Sequence, residues 1–136
     1  MEDLIRITPN KEKARSMLKM ADTTLSMVEQ IDKNKFPSNV AKEYYDIIRE
    51  LISIILLLDG YKTLGEGAHK RMIEYLEVNY SGFDASEISL IDDLRIIRNK
   101  IAYDGFFVKE DYVNRKLENI LGVISKLKDV VGEKLR

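Results

Sequence analysis

Cysteine is absent from this chain, histidine occurs once, and there are only 2 prolines and 7 glycines. Without cysteine there is no disulfide, no thiolate metal site and no cysteine nucleophile, which fits a reducing, cytoplasmic setting. A single histidine with no cysteine leaves no ordinary zinc ligand set. Sparse glycine and proline favour long helices over a turn-rich β fold. No apolar run approaches the roughly 18 residues of a membrane span, and residues 1–8 are too few and too charged for a signal peptide. The formal net charge is -1. No global basic field therefore draws the protein to nucleic acid, and any site for a polyanion must be a local patch. Gly65-Glu66-Gly67 lacks the strand that precedes a phosphate-cradling glycine loop. Neither a metal nor a cofactor is implied; the carboxylate pairs Asp92-Asp93, adjacent, and Asp46 with Glu50, at helical spacing, are of a kind that occurs by chance.

What is present is an ordinary globular composition, 45% hydrophobic and 33% charged over 136 residues, which suits one domain over 1–136 with residues 1–8 as an N-terminal arm or short extended piece. Thr8 before Pro9 reads as N-cap and first residue of a helix running to about Asp32. Its apolar stripe is Ala14, Met17, Leu18, Ala21, Leu25, Val28 and Ile31. Ser38 is the expected N-cap of a second helix that ends at Asp59, with Gly60 just beyond. The second half of that helix is apolar all round, so it is expected to be buried on several sides or to cover its surplus against another subunit. A buried strand over residues 52–58 is the alternative, but no partner strand is evident. A third helix is expected over residues 68–79, with Met72, Ile73, Tyr75 and Leu76 inward. Asp84 and Glu87 form a capping box for a fourth helix ending near Gly105. Residues 106–108 are expected to pack over the bundle end. A fifth helix follows, with Val113, Leu117, Ile120, Leu121, Ile124, Leu127, Val131 and Leu135 on one stripe. The fold class predicted is all-α, an up-and-down bundle of four to five helices.

The fourth helix carries the densest chemistry. Leu90, Leu94, Ile97 and Ile101 make an apolar seam, and Asp92, Arg95, Asn99 and Tyr103 recur at i, i+3, i+7 and i+11 as a polar stripe. Arg98 sits beside the seam, where its charge is hardest to solvate. Arg95 and Arg98 are suited to clamp a phosphate, because guanidinium offers paired donors and keeps its charge; the alternative is pairing with carboxylates such as Asp92. Asn99 bridges an arginine or a phosphate oxygen, or caps backbone. Tyr103 donates a hydrogen bond, stacks on a base, or packs as a core aromatic. His69, in the first turn of the third helix, is either a partly exposed helix-start residue or a proton donor or acceptor.

The run Arg98-Asn99-Lys100-Ile101-Ala102-Tyr103-Asp104-Gly105-Phe106-Phe107-Val108, late in an all-helical chain, resembles the HEPN family (higher eukaryotes and prokaryotes nucleotide-binding). So do Tyr44-Tyr45 at the opening of the apolar helix and the loop Gly65-Glu66-Gly67-Ala68-His69-Lys70. The resemblance spans residues 10–135. It implies a helical bundle that dimerises. Many members are metal-independent endoribonucleases whose motif is an Arg, often followed by Asn, with a His a few residues on, two copies meeting in a cleft at the dimer interface. Prokaryotic members are often paired with a minimal nucleotidyltransferase, as toxin–antitoxin pairs or as binding helpers of the transferase.

Arg98 and Asn99 match that motif, and Tyr103 stands where the His is expected. A phenol ionises near pH 10 in model peptides, so tyrosine is a poor general base at about pH 7. The departure leaves fold and dimerisation standing and puts ribonuclease chemistry in doubt. It is similar to His-lacking members in which a tyrosine follows the Arg-Asn pair, and the resemblance makes Tyr103 the candidate acceptor for AMP from a partner transferase. The expectation is a homodimer that binds RNA or a nucleotide at Arg95, Asn99, Asp92 and His69, working with a nucleotidyltransferase. A pure protein-interaction module is the alternative, and an endoribonuclease with Arg98 and Tyr103 as catalytic residues is the other.

Overall fold

The computed structural model describes residues 4–136. It is an all-helical bundle with one small sheet: β1 (Leu4–Arg6), α1 (Lys11–Glu29), α2 (Pro37–Asp59), β2 (Tyr61–Thr63), α3 (Ala68–Asn79), α4 (Ala85–Asp104) and α5 (Tyr112–Lys134). Residues 1–3 of the expected arm lie outside the described residues, and Leu4–Arg6 pairs antiparallel with Tyr61–Thr63, Ile5 opposite Lys62.

Helix α2 is the axis of the fold. Tyr45, Ile48, Leu51, Ile52, Ile54, Ile55 and Leu56 are all under 2% exposed, which is what an all-round apolar helix requires. The residues 52–58 are helical, not a strand. The surplus apolar surface is covered within the chain: α1, α4 and α5 pack along α2, and α3 and β2 close one end. It therefore needs no second subunit to bury it. Helix α1 brings Ala14, Ala21 and Val28 against the core, small residues two turns apart that let the two helices approach closely. From α5 come Val113, Ile120, Val123, Ile124, Leu127 and Val131. Val123 was not on the expected stripe, and Leu121, which was, is 38% exposed.

Several local expectations shift. The N-cap of α1 is Asn10, whose side chain accepts from Lys13 N at 2.9 Å, and not Thr8. The segment before it stays extended because Ile7 N donates to Gly60 O at 2.8 Å. Gly60 itself has φ +90°, and a Cβ there would stand 3.2 Å from Ile7 O, so this position is tied to glycine twice over. Ser38 is not the cap of α2. Pro37 starts that helix, its fixed φ already helical, and the buried Ser38 hydroxyl accepts from Val108 N at 2.9 Å. Of residues 106–108 only Val108 packs; Phe106 is 42% and Phe107 82% exposed. The capping box of α4 is as expected: Glu87 N donates to Asp84 Oδ1 at 2.9 Å, and Asp84 N donates to Glu87 Oε1 at 3.0 Å.

One polar knot closes the end of the bundle away from Ser38. The Asp59 carboxylate at the end of α2 accepts from Tyr75 Oη at 2.7 Å, Tyr80 Oη at 2.5 Å and Lys134 Nζ at 2.5 Å. It joins α2, α3 and α5. No helix of the described residues is long and apolar enough to cross a membrane.

Candidate functional site

Helix α4 is anchored by its first half and presents its second. Ile88, Leu90, Ile91 and Leu94 are its buried residues, and none follows Leu94. The rest of the apolar seam, Ile97 and Ile101, is only half-buried. The side chains beyond Leu94 are thus available at the surface, beside the turn at residues 65–67 that leads into α3.

That juxtaposition makes a cavity of about 460 Å³ lined by residues 65–70, Arg95, Asn99 and Tyr103. Four of the residues singled out in the sequence, His69, Arg95, Asn99 and Tyr103, therefore share one cavity. Two do not. Asp92 faces a separate groove with Lys70, Ile73, Glu74 and Ile88, while its carboxylate accepts from Arg95 Nε at 2.8 Å, the intrahelical pairing weighed above. Arg98 does not line the cavity. Its Nε donates to Asp46 Oδ1 of α2 at 3.2 Å, which partners the guanidinium at its partly buried position.

The far wall of the cavity is the start of α3. Its N-cap is Gly67, in the left-handed region at φ +80° with no side chain to cap the helix, and the first turn holds no acidic residue. Backbone N–H groups at an uncapped N-terminus and the helix dipole both favour an anion. Arg95 and Lys70 add positive charge on the same cavity, and Glu66 opposes them.

His69 lies over the Tyr45 ring, 6.2 Å between centroids. Burial pushes its imidazole pKa below the ordinary 6.5, and the charges of Arg49, Arg98 and Arg95 push the same way against Asp46. At neutral pH it is therefore an uncharged ring with one donor and one acceptor nitrogen. Burial pushes the Tyr45 phenol up to about 12, so that hydroxyl stays protonated.

Arg49 is the residue of this neighbourhood that sequence reasoning missed. Its Nε is 3.9 Å from Asp46 Oδ1 and its Nη1 3.9 Å from Glu50 Oε2. Asp46 and Glu50 thus serve as counter-charges to arginines. The signal was the i, i+3 spacing of Asp46 and Arg49; what sequence could not supply was their meeting with α4. Among the described residues no group of three or more His, Cys, Asp and Glu is placed to hold a metal ion.

The chain matches no family model, no curated protein and no solved structure. The resemblance to the HEPN family rests on the sequence motifs alone.

Proposed function

We propose that the cavity between the start of α3 and the second half of α4 binds a phosphate-bearing ligand, an RNA or a nucleotide. The observation that carries this is the uncapped N-terminus of α3 facing Arg95 across a cavity that also holds His69, Asn99 and Tyr103. Phosphate oxygens take the free N–H groups and the guanidinium. Asn99 and the Tyr103 hydroxyl supply hydrogen bonds, and the Tyr103 ring supplies a face for a base. In keeping with the motif resemblance, the proposal extends to a homodimer burying about 1,200–2,000 Å² and to a minimal nucleotidyltransferase as partner, in a toxin–antitoxin arrangement.

Metal-independent RNA cleavage by Arg98 and Tyr103 is the less favoured reading. Within one chain Tyr103 lines the cavity while Arg98 is held by Asp46 outside it. A pure interaction module leaves the uncapped helix start unexplained.

The test uses the only histidine as a reporter. AMP and a short RNA are titrated into the protein while the His69 ring protons are followed by NMR. Saturable shifts are expected, with affinity weakened about 10-fold or more in Arg95→Ala, the loss of a charged hydrogen bond. Unmoved His69 signals at millimolar ligand would refute the site.

A further inference from the structure

Beyond the cavity, the chain leaves α4 through a run of exposed rings. Tyr103 at the cavity rim is 76% exposed, and Phe106 and Phe107 follow in the connection to α5. The bond from Val108 N to Ser38 Oγ brings this connection against the start of α2. There Phe36, two residues before Ser38, is 44% exposed. The two segments that carry these four aromatic residues therefore meet at one end of the bundle.

Two of these rings carry an ammonium group. Lys100 Nζ lies 5.7 Å from the Phe106 centroid and Lys35 Nζ 5.4 Å from that of Phe36. Lys33 and Lys109 adjoin them in the same two segments. Of the neighbouring carboxylates, Asp111 is paired with Arg115, while Asp32 accepts from Asn34 N and Lys35 N in its own turn and keeps its charge. Asp32, Asp104 and Glu110 oppose the four lysines.

We propose that these rings and lysines form a stacking track for single-stranded RNA, leading from the cavity over the α4–α5 connection toward the start of α2. This builds on the reading of the cavity as a phosphate site, and experiment separates the two. Exposed rings interleaved with lysines match a single strand, whose bases stack while its phosphates meet the ammonium groups. The core of a protein–protein interface is instead depleted in lysine. A few lysines on a chain of net charge -1 give few phosphate contacts, so the affinity falls only shallowly with salt.

The experiment compares AMP with a single-stranded RNA of about ten nucleotides, on the wild type and on Phe107→Ala and Phe36→Ala, with light scattering alongside. The expected result is RNA binding at least about 10-fold tighter than AMP in the wild type. Phe107→Ala then weakens the RNA by about 5- to 100-fold and leaves both AMP affinity and the thermal midpoint unchanged. RNA binding no tighter than AMP, or unchanged in both variants, overturns the track. So does a wild-type dimer that Phe107→Ala splits without loss of RNA affinity, since the rings then belong to a second copy of the chain. RNA that binds through Phe107 while AMP does not bind supports the track and sinks the cavity reading.

Discussion

Asp59→Asn is the most informative single change to the fold. Asp59 receives hydrogen bonds from two tyrosines and a lysine drawn from three different stretches of chain, and its side chain is 17% exposed. Burial by itself raises its pKa; the hydrogen bonds from Lys134, Tyr80 and Tyr75 and the lysine charge outweigh that, and the result lies below the ordinary 3.8. The folded state therefore holds the carboxylate ionised more firmly than the unfolded state does. Stability from this source is fully present above about pH 4–5, and is lost as pH falls through the depressed folded value. The asparagine keeps one acceptor oxygen but loses the charge, and its N–H₂ replaces an oxygen that accepted, so a tyrosine hydroxyl must reverse its bond or the amide faces the Lys134 ammonium, which only donates. Hydrogen bonds to a charged group are worth about 1.5–3 kcal/mol each and do not add fully. A loss of about 2–3 kcal/mol at pH 7 is expected, or roughly 6–12 °C in melting temperature for a chain of this size. Urea unfolding followed by circular dichroism at pH 7 and again near pH 3 measures it. The wild type loses its advantage on acidification while the variant does not, so the two curves converge. A variant within about 0.5 kcal/mol of wild type at pH 7, or a gap that persists unchanged in acid, would refute the reasoning.

Ile55→Asp or Leu56→Asp is expected to abolish folding, since both side chains are sealed in α2 and an unpaired buried carboxylate is not tolerated; a soluble, fully helical variant by circular dichroism would contradict this. Gly60→Ala is expected to cost about 1–3 kcal/mol, because the new Cβ meets Ile7 O in a backbone that L residues rarely adopt, and denaturant midpoints report it. His69 is expected to titrate below 6.5 by NMR, with Arg98→Gln moving the midpoint up, as one of the charges that oppose its protonation is removed. A midpoint that stays put places Arg98 too far away to matter. Tyr103→Phe is expected to leave the melting temperature unchanged, since the ring is exposed, and to weaken AMP by about 2- to 10-fold through one lost hydrogen bond.

The features legible in the sequence are those carried by neighbours along the chain. The capping box at Asp84 and Glu87, the glycine after Asp59 and the apolar surround of α2 each depend on a few adjacent residues, and each stands where expected. Non-local pairings were out of reach. The three-residue strand Leu4–Arg6 exists only because β2 lies beside it, and that pairing also holds Thr8 and Pro9 out of the helix. The polar stripe of α4 was visible by period. Yet a stripe from residue i to i+11 runs about 16 Å along a helix, so its two ends meet different parts of α3. Asp92 faces the body of α3 and Tyr103 its beginning. Arg98 illustrates the same limit: its partner Asp46 lies 52 residues earlier, and only packing brings them together.

The uneven burial of α4 has a consequence for amide exchange. Its first three turns are locked by a capping box and four buried side chains, while the last turns, from Ile97 onward, rest on one ion pair and two half-covered isoleucines. Opening free energy follows such contacts, so deuterium uptake should climb steadily along this one helix. Asn99 and Tyr103 then belong to the soft end, and a ligand that ties them to the start of α3 would slow exchange there while leaving the amides around Leu94 untouched.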